Sequence, residues 1–146
     1  MAQSAVPAAV RALHDLLADG CPWPDREPDI GLGVPAELGR EMVILGPVDG
    51  TEDWAQLGAR RRDCDFEIGV TVIVRWPGHD ALEACDRAYA LFAVIEDQLR
   101  NPDNIALAHS AGVLWNEIAH PASTPTVEDE GYGHVIQSAV RFQART

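Results

Sequence analysis

The sequence predicts an α+β fold: a mostly antiparallel four-stranded sheet with two long strands, packed against two main helices. Three observations predict it. From Cys64 to Trp76 every even position is apolar (Cys64, Phe66, Ile68, Val70, Val72, Val74, Trp76), and the odd ones are polar or small except Ile73. That period of two, rich in β-branched residues, marks a strand with one buried face. A second such run closes the chain, with Ile136, Ser138, Val140, Phe142 and Ala144 on one face and Gln137, Arg141 and Gln143 on the other. Between them Leu82, Cys85, Ala88, Tyr89, Phe92, Ile95 and Leu99 recur at helical spacing.

The stretch from Cys64 to Trp76 organises the rest. At about 3.3 Å per residue it would reach roughly 43 Å. A compact chain of this length is only about 38 Å across, so the strand crosses the whole domain or protrudes from it. Gly69 is the position where a bulge or bend would shorten it.

The remaining elements follow in order. Val6, Val10, Leu13, Leu16 and Leu17 give a first helix over 6–19, with Pro7 in its first turn and Gly20 as its stop. From Cys21 to Leu38 four prolines exclude regular helix or central strand, leaving a proline-rich extended connector within the single domain 1–146, with Trp23 as its anchor. Glu41 to Leu45 reads as a short buried strand closed by Gly46-Pro47. Asp80 with Glu83 forms a capping box for the long helix, which ends at Asn101-Pro102; Glu83, Asp86, Arg87, Glu96 and Asp97 decorate its polar side. Gly112 to Ala119 reads as a third strand broken by His120-Pro121, followed by a polar loop, ASTPTVEDEGYG.

Composition narrows function. At 146 residues the chain is long enough for one domain with its own core. The net charge of −12 argues against gripping nucleic acid, which calls for a basic patch. It suits a solubilising surface. Nothing at the N-terminus resembles a secretion signal and no apolar run could span a bilayer, so the expected location is the cytoplasm or a particle assembled there. Cys21, Cys64 and Cys85 form no CxxC pair, and Cys64 and Cys85 fall on apolar faces.

Chemistry is sparse. There is no phosphate-binding glycine loop, no GxSxG elbow and no HExxH; the five histidines are dispersed. No constellation supports acid–base or nucleophilic work, so neither an enzyme nor a cofactor or metal is expected. The segment VDGTEDWAQLGARRRD carries Asp49, Glu52 and Asp53, then Trp54, then Arg60, Arg61 and Arg62. It reads either as a self-compensating surface loop or as a contact loop between copies, since Trp and Arg anchor interfaces. Glu128, Asp129 and Glu130 form a second acidic cluster, read as a solvated loop tip or a weak cation site.

The order of elements resembles that of the tail terminator (tail completion) proteins of long-tailed bacteriophages and gene-transfer particles. The resemblance is one of layout: the N-terminal helix, the proline-rich crossing, MVILGP, a loop, RRRDCDFEIGVTVIVRW, the helix DALEACDRAYALFAVIEDQLR, GVLWNEIA and GHVIQSAVRFQAR. It implies a non-enzymatic virion protein of the tail. Such a protein assembles in the host cytoplasm, usually as a hexameric ring, on the head-proximal end of the tail tube. The ring stops polymerisation and offers the head-joining surface. Its partners would be its own copies, the major tail tube protein and a head-completion or neck protein, with DNA passing through unbound. On that reading the loop with Asp49, Glu52, Asp53, Trp54, Arg60, Arg61 and Arg62 is the interface, and the channel-facing acids are Glu128, Asp129 and Glu130 or those of the Asp49–Asp53 loop. The alternative is a non-catalytic cytosolic binding domain or accessory subunit.

Overall fold

A computed structural model describes residues 6–33, 39–54, 62–77, 80–101, 104, 113–128 and 131–145. Helix α1 (Val6–Asp15) widens into a π-helical turn over Leu16–Gly20. Strands β1 (Asp29–Leu32), β2 (Glu41–Trp54) and β3 (Arg62–Pro77) follow, then helix α2 (Ala81–Arg100) and strands β4 (Val113–Glu128) and β5 (Gly131–Arg145). The sheet has the order β1-β2-β3-β5-β4, with β1 parallel to β2 and every other pairing antiparallel.

Five strands replace the four expected, and four of them are long rather than two. The extra strand, β1, lies inside the proline-rich connector. Its four residues, DIGL, are too few to show an alternating pattern. Their position as a sheet edge is where a proline-flanked segment is tolerated. The other difference is that β2 and β4 do not stop at their prolines. Leu45 pairs with Val70 and Val48 with Ile68, so Gly46 and Pro47 together face Gly69 alone. Ala119 pairs with Ala139 and Ala122 with Gln137, so His120 and Pro121 together face Ser138. Each X-Pro pair is a bulge, which absorbs a residue without a ladder N–H and lets the strand continue. The two bulges stand at one level of the sheet, because Gly69 and Val70 pair with Ala139 and Ser138. Much of both supposed polar loops, 48–54 and 122–128, is therefore strand.

One face of the sheet carries the core. Phe66, Ile68, Val70, Val72 and Val74 of β3 are all buried, as the alternation requires. They join Val43 and Leu45 of β2 and Ile136, Val140, Phe142 and Ala144 of β5. Phe66 and Phe142 lie opposite one another in register and stack, ring centroids 5.2 Å apart. Ala9, Leu13 and Leu17 cover this face from the first helix, and Ala84, Ala88, Leu91, Phe92, Ile95 and Leu99 from α2. The α2 stripe is turned from the expected one: Leu82 and Tyr89 are exposed, at 76% and 46%, whereas Arg87 is buried. Of the expected capping box, the Asp80 half is present: Asp80 accepts from the Glu83 N–H at 2.7 Å. The Trp23 indole N–H donates to the Leu17 carbonyl at 2.8 Å, anchoring the connector.

Candidate functional site: the open face and edges of the sheet

Three surroundings hold polar or uncovered groups. The first is internal. Glu41, at the start of β2, is almost fully buried, and Arg87 reaches it from α2. Arg87 Nε donates to Glu41 Oε2 and Nη2 donates to Oε1 at 3.3 Å, while Arg26 Nε donates to the same Oε1 at 2.8 Å. The remaining Arg87 donors reach the Pro24 carbonyl at 2.8 Å and the Arg26 carbonyl at 3.2 Å. Burial pushes the Glu41 carboxyl up, but hydrogen bonds from Arg87 and Arg26 and their charges outweigh it and hold the group below the usual carboxylate range. Four hydrogen bonds thus hold Arg87 in place. It clamps connector, sheet and helix together rather than presenting a reactive group.

The second is His134, buried on the core face of β5 beside the Tyr89 ring at 5.8 Å. Neither ring nitrogen has a hydrogen-bond partner among the described residues. The Tyr89 hydroxyl instead bonds the Ser123 hydroxyl at 2.7 Å. Cys21 is half-buried, and burial pushes its thiol up to about 11, so it is protonated and inert at neutral pH.

The third is the sheet face opposite the helices, and it divides at the bulges. Toward the β2–β3 end, Asp49 lies in register with Glu67, Glu67 with Arg141 and Arg141 with Glu117. Asp49, Asp65, Glu67 and Arg141 line a shallow hollow of about 310 Å³. Arg141 Nε lies 3.5 Å from Glu67 Oε1 there, and a surface pair of that kind is worth little. Beside the bulge, Leu32, Ile44, Pro47, Val48, Thr71 and Ile73 line an apolar groove of about 530 Å³. Leu32 is 66% exposed and Val48 40%. Ile73, the one break in the β3 alternation, belongs to this groove, and that break was the signal for it.

The expected site residues separate into two places. Asp49, Glu52, Asp53 and Trp54 lie on the last part of β2, and Arg62 opens β3 opposite Trp54; Glu52 pairs with Cys64 and Asp53 with Asp63. Arg60 and Arg61 lie outside the described residues. Glu128 ends β4, pairing with Gly131, which in turn pairs with Pro77; Asp129 and Glu130 lie outside the described residues. The described members of the two clusters thus sit toward opposite ends of β3, whose sixteen residues span roughly 50 Å. Sequence reasoning missed Asp65, Glu67 and Arg141 as a group, because they come together only through strand pairing.

Among the described residues no group of three His, Cys, Asp or Glu side chains could hold a metal ion, and no helix is long and apolar enough to cross a membrane. No protein-family model matches the chain, and no curated protein matches it significantly.

Proposed function

We propose that the chain is a structural ring subunit of the tail-terminator kind, seated on the head-proximal end of a phage tail tube. There it stops polymerisation and presents the head-joining surface. One observation carries this reading: four long antiparallel strands with both helices on one face and, among the described residues, a carboxylate-lined hollow on the other. Strands of 14–16 residues far exceed the usual length of about 5–6 residues. A ring gains a smooth wall of sheet around its channel, with the helices outside. Carboxylates on that wall repel phosphates, so duplex DNA slides past without exchanging counterions for protein cations. In this arrangement Asp49, Asp65 and Glu67 supply the channel charge, in place of or beside Glu128, Asp129 and Glu130. The 48–62 end meets a neighbouring copy or the tube. Partners are then other copies of the chain, the tube protein and a neck protein, and no catalytic group or cofactor is called for.

The test is polymerisation of the major tube protein with and without this chain. The reading expects shorter tubes with one capped end. Unchanged tube lengths and bare ends would count against it.

The apolar groove supports a second reading, a non-catalytic binding domain or accessory subunit that takes a partner segment across Leu32, Ile44, Val48 and Ile73. Retention of a partner with the chain monomeric, and no effect on tubes, would favour that one.

A further inference from the structure

The sheet has two open edges at the same level. On one side β1 pairs with β2 only from Met42 to Leu45, and the last contact there is the Gly33 N–H to the Leu45 carbonyl at 2.8 Å. Beyond the bulge, no described strand flanks residues 48–54 of β2. On the other side, no described strand flanks β4. Its half below the bulge carries Pro121 and Pro125, which cannot donate to a further ladder; the half above it, residues 113–119, has no proline. The register ties the two open stretches together. Val48 leads through Ile68 and Val140 to Ile118, and Asp49 through Glu67 and Arg141 to Glu117. Among the described residues 48–54 and 113–119 are thus unflanked, and 48–52 share their rows with 113–118. Exposed edges of this kind need either protection or a partner.

We propose that these edges pair with each other between copies: residues 113–119 of one copy add antiparallel to residues 48–54 of the next. Strand direction supports a second copy as the occupant. Because β2, β3, β5 and β4 alternate in direction, β4 runs opposite to β2. A rotation about an axis roughly along the strands therefore brings β4 of one copy antiparallel to β2 of its neighbour. That contact is heterologous and repeats until it closes. The prolines fit the same scheme. They occupy the half of β4 that would meet the part of the neighbour already capped by β1, where no ladder to β2 can form. The pairing deepens the ring reading and rests on it for closure.

Cysteine cross-linking of the full chain tests it. Glu117→Cys protein is mixed at millimolar concentration with Asp49→Cys, Thr51→Cys or Asp53→Cys protein and oxidised, with wild-type chain as the thiol baseline. Glu52→Cys, of opposite register parity, is the control. The expected result is a mixed dimer with at least one odd-numbered partner, in at least tenfold higher yield than with Glu52→Cys. Equal yields at positions 51 and 52, or Glu117→Cys protein cross-linking mainly to itself, would overturn the proposal. A chain that stays monomeric and uncross-linked would overturn it too. Capped tubes together with a failed cross-link would mean a ring closed through other surfaces, so the two readings fail separately.

Discussion

The carbonyl oxygen of Gly46 lies 2.7 Å from where a Cβ on Gly69 would stand. This close approach of β2 to β3 lets the bulge form, and Gly46 itself has φ near +110°, a conformation L side chains rarely adopt. Gly69→Ala must push backbone against backbone. It should cost about 1–3 kcal/mol, the usual range for overpacking, and lower the thermal midpoint in circular dichroism by several degrees. Gly31→Ala, with nothing within 4 Å of the added carbon, is the matched control and should cost less.

The two faces of β3 make a sharper prediction. Phe66→Asp and Val70→Asp place a carboxylate among fully buried side chains. Burying an unpaired charge costs several kcal/mol, much of a typical stability of about 5–15 kcal/mol. Both variants should be unfolded by circular dichroism at 25 °C, whereas Thr71→Asp, half-buried on the opposite face, should retain a cooperative melt. Equal melting of all three would refute the face assignment.

The Glu41–Arg87 clamp predicts a pH dependence. Its folded carboxyl is held below the ordinary range, so the unfolded chain takes up the proton first as pH falls. The stabilisation is then complete above roughly pH 5, the upper edge of ordinary glutamate titration, and is lost as pH drops through the depressed folded value. Arg87→Met leaves Glu41 with Arg26 alone and should cost about 3 kcal/mol at pH 7, at the low end for a broken buried pair. In urea melts that cost should shrink at pH 4. A cost independent of pH would mean the pair is not ionised as described.

Much of this architecture was legible locally. The β3 alternation, the caps of α2 and the closing strand depend on neighbouring residues, so pattern and propensity found them within a few positions. What escaped is set by distant partners. Gly46-Pro47 and His120-Pro121 look like strand ends until the bulges opposite Gly69 and Ser138 are known. Strand β1 owes its existence to the backbone of β2. Arg87 looks like a surface residue because its partner, Glu41, is 46 positions away. The acid face was half visible: Asp49 stood out in its charged segment, but Asp65, Glu67 and Arg141 join it only through register.

The interface reading of the charged segment predicts a selective loss. Replacing Arg60, Arg61 and Arg62 together by Glu should leave the melt within about 0.5 kcal/mol, as for surface substitutions generally, while abolishing attachment to tubes. Opposed like charges at an interface are costly, and on a solvated turn they are not. Normal capping by the triple variant would remove this segment from the interface.

The most direct test of the central claim is electron microscopy of tubes polymerised with the chain, averaged at the capped end. A closed ring is expected, with its sheet facing the channel, the helices outward, and Asp49, Asp65 and Glu67 on the channel wall. Bare tube ends, or a ring whose channel is lined by the helices with those acids on the outer rim, would contradict it.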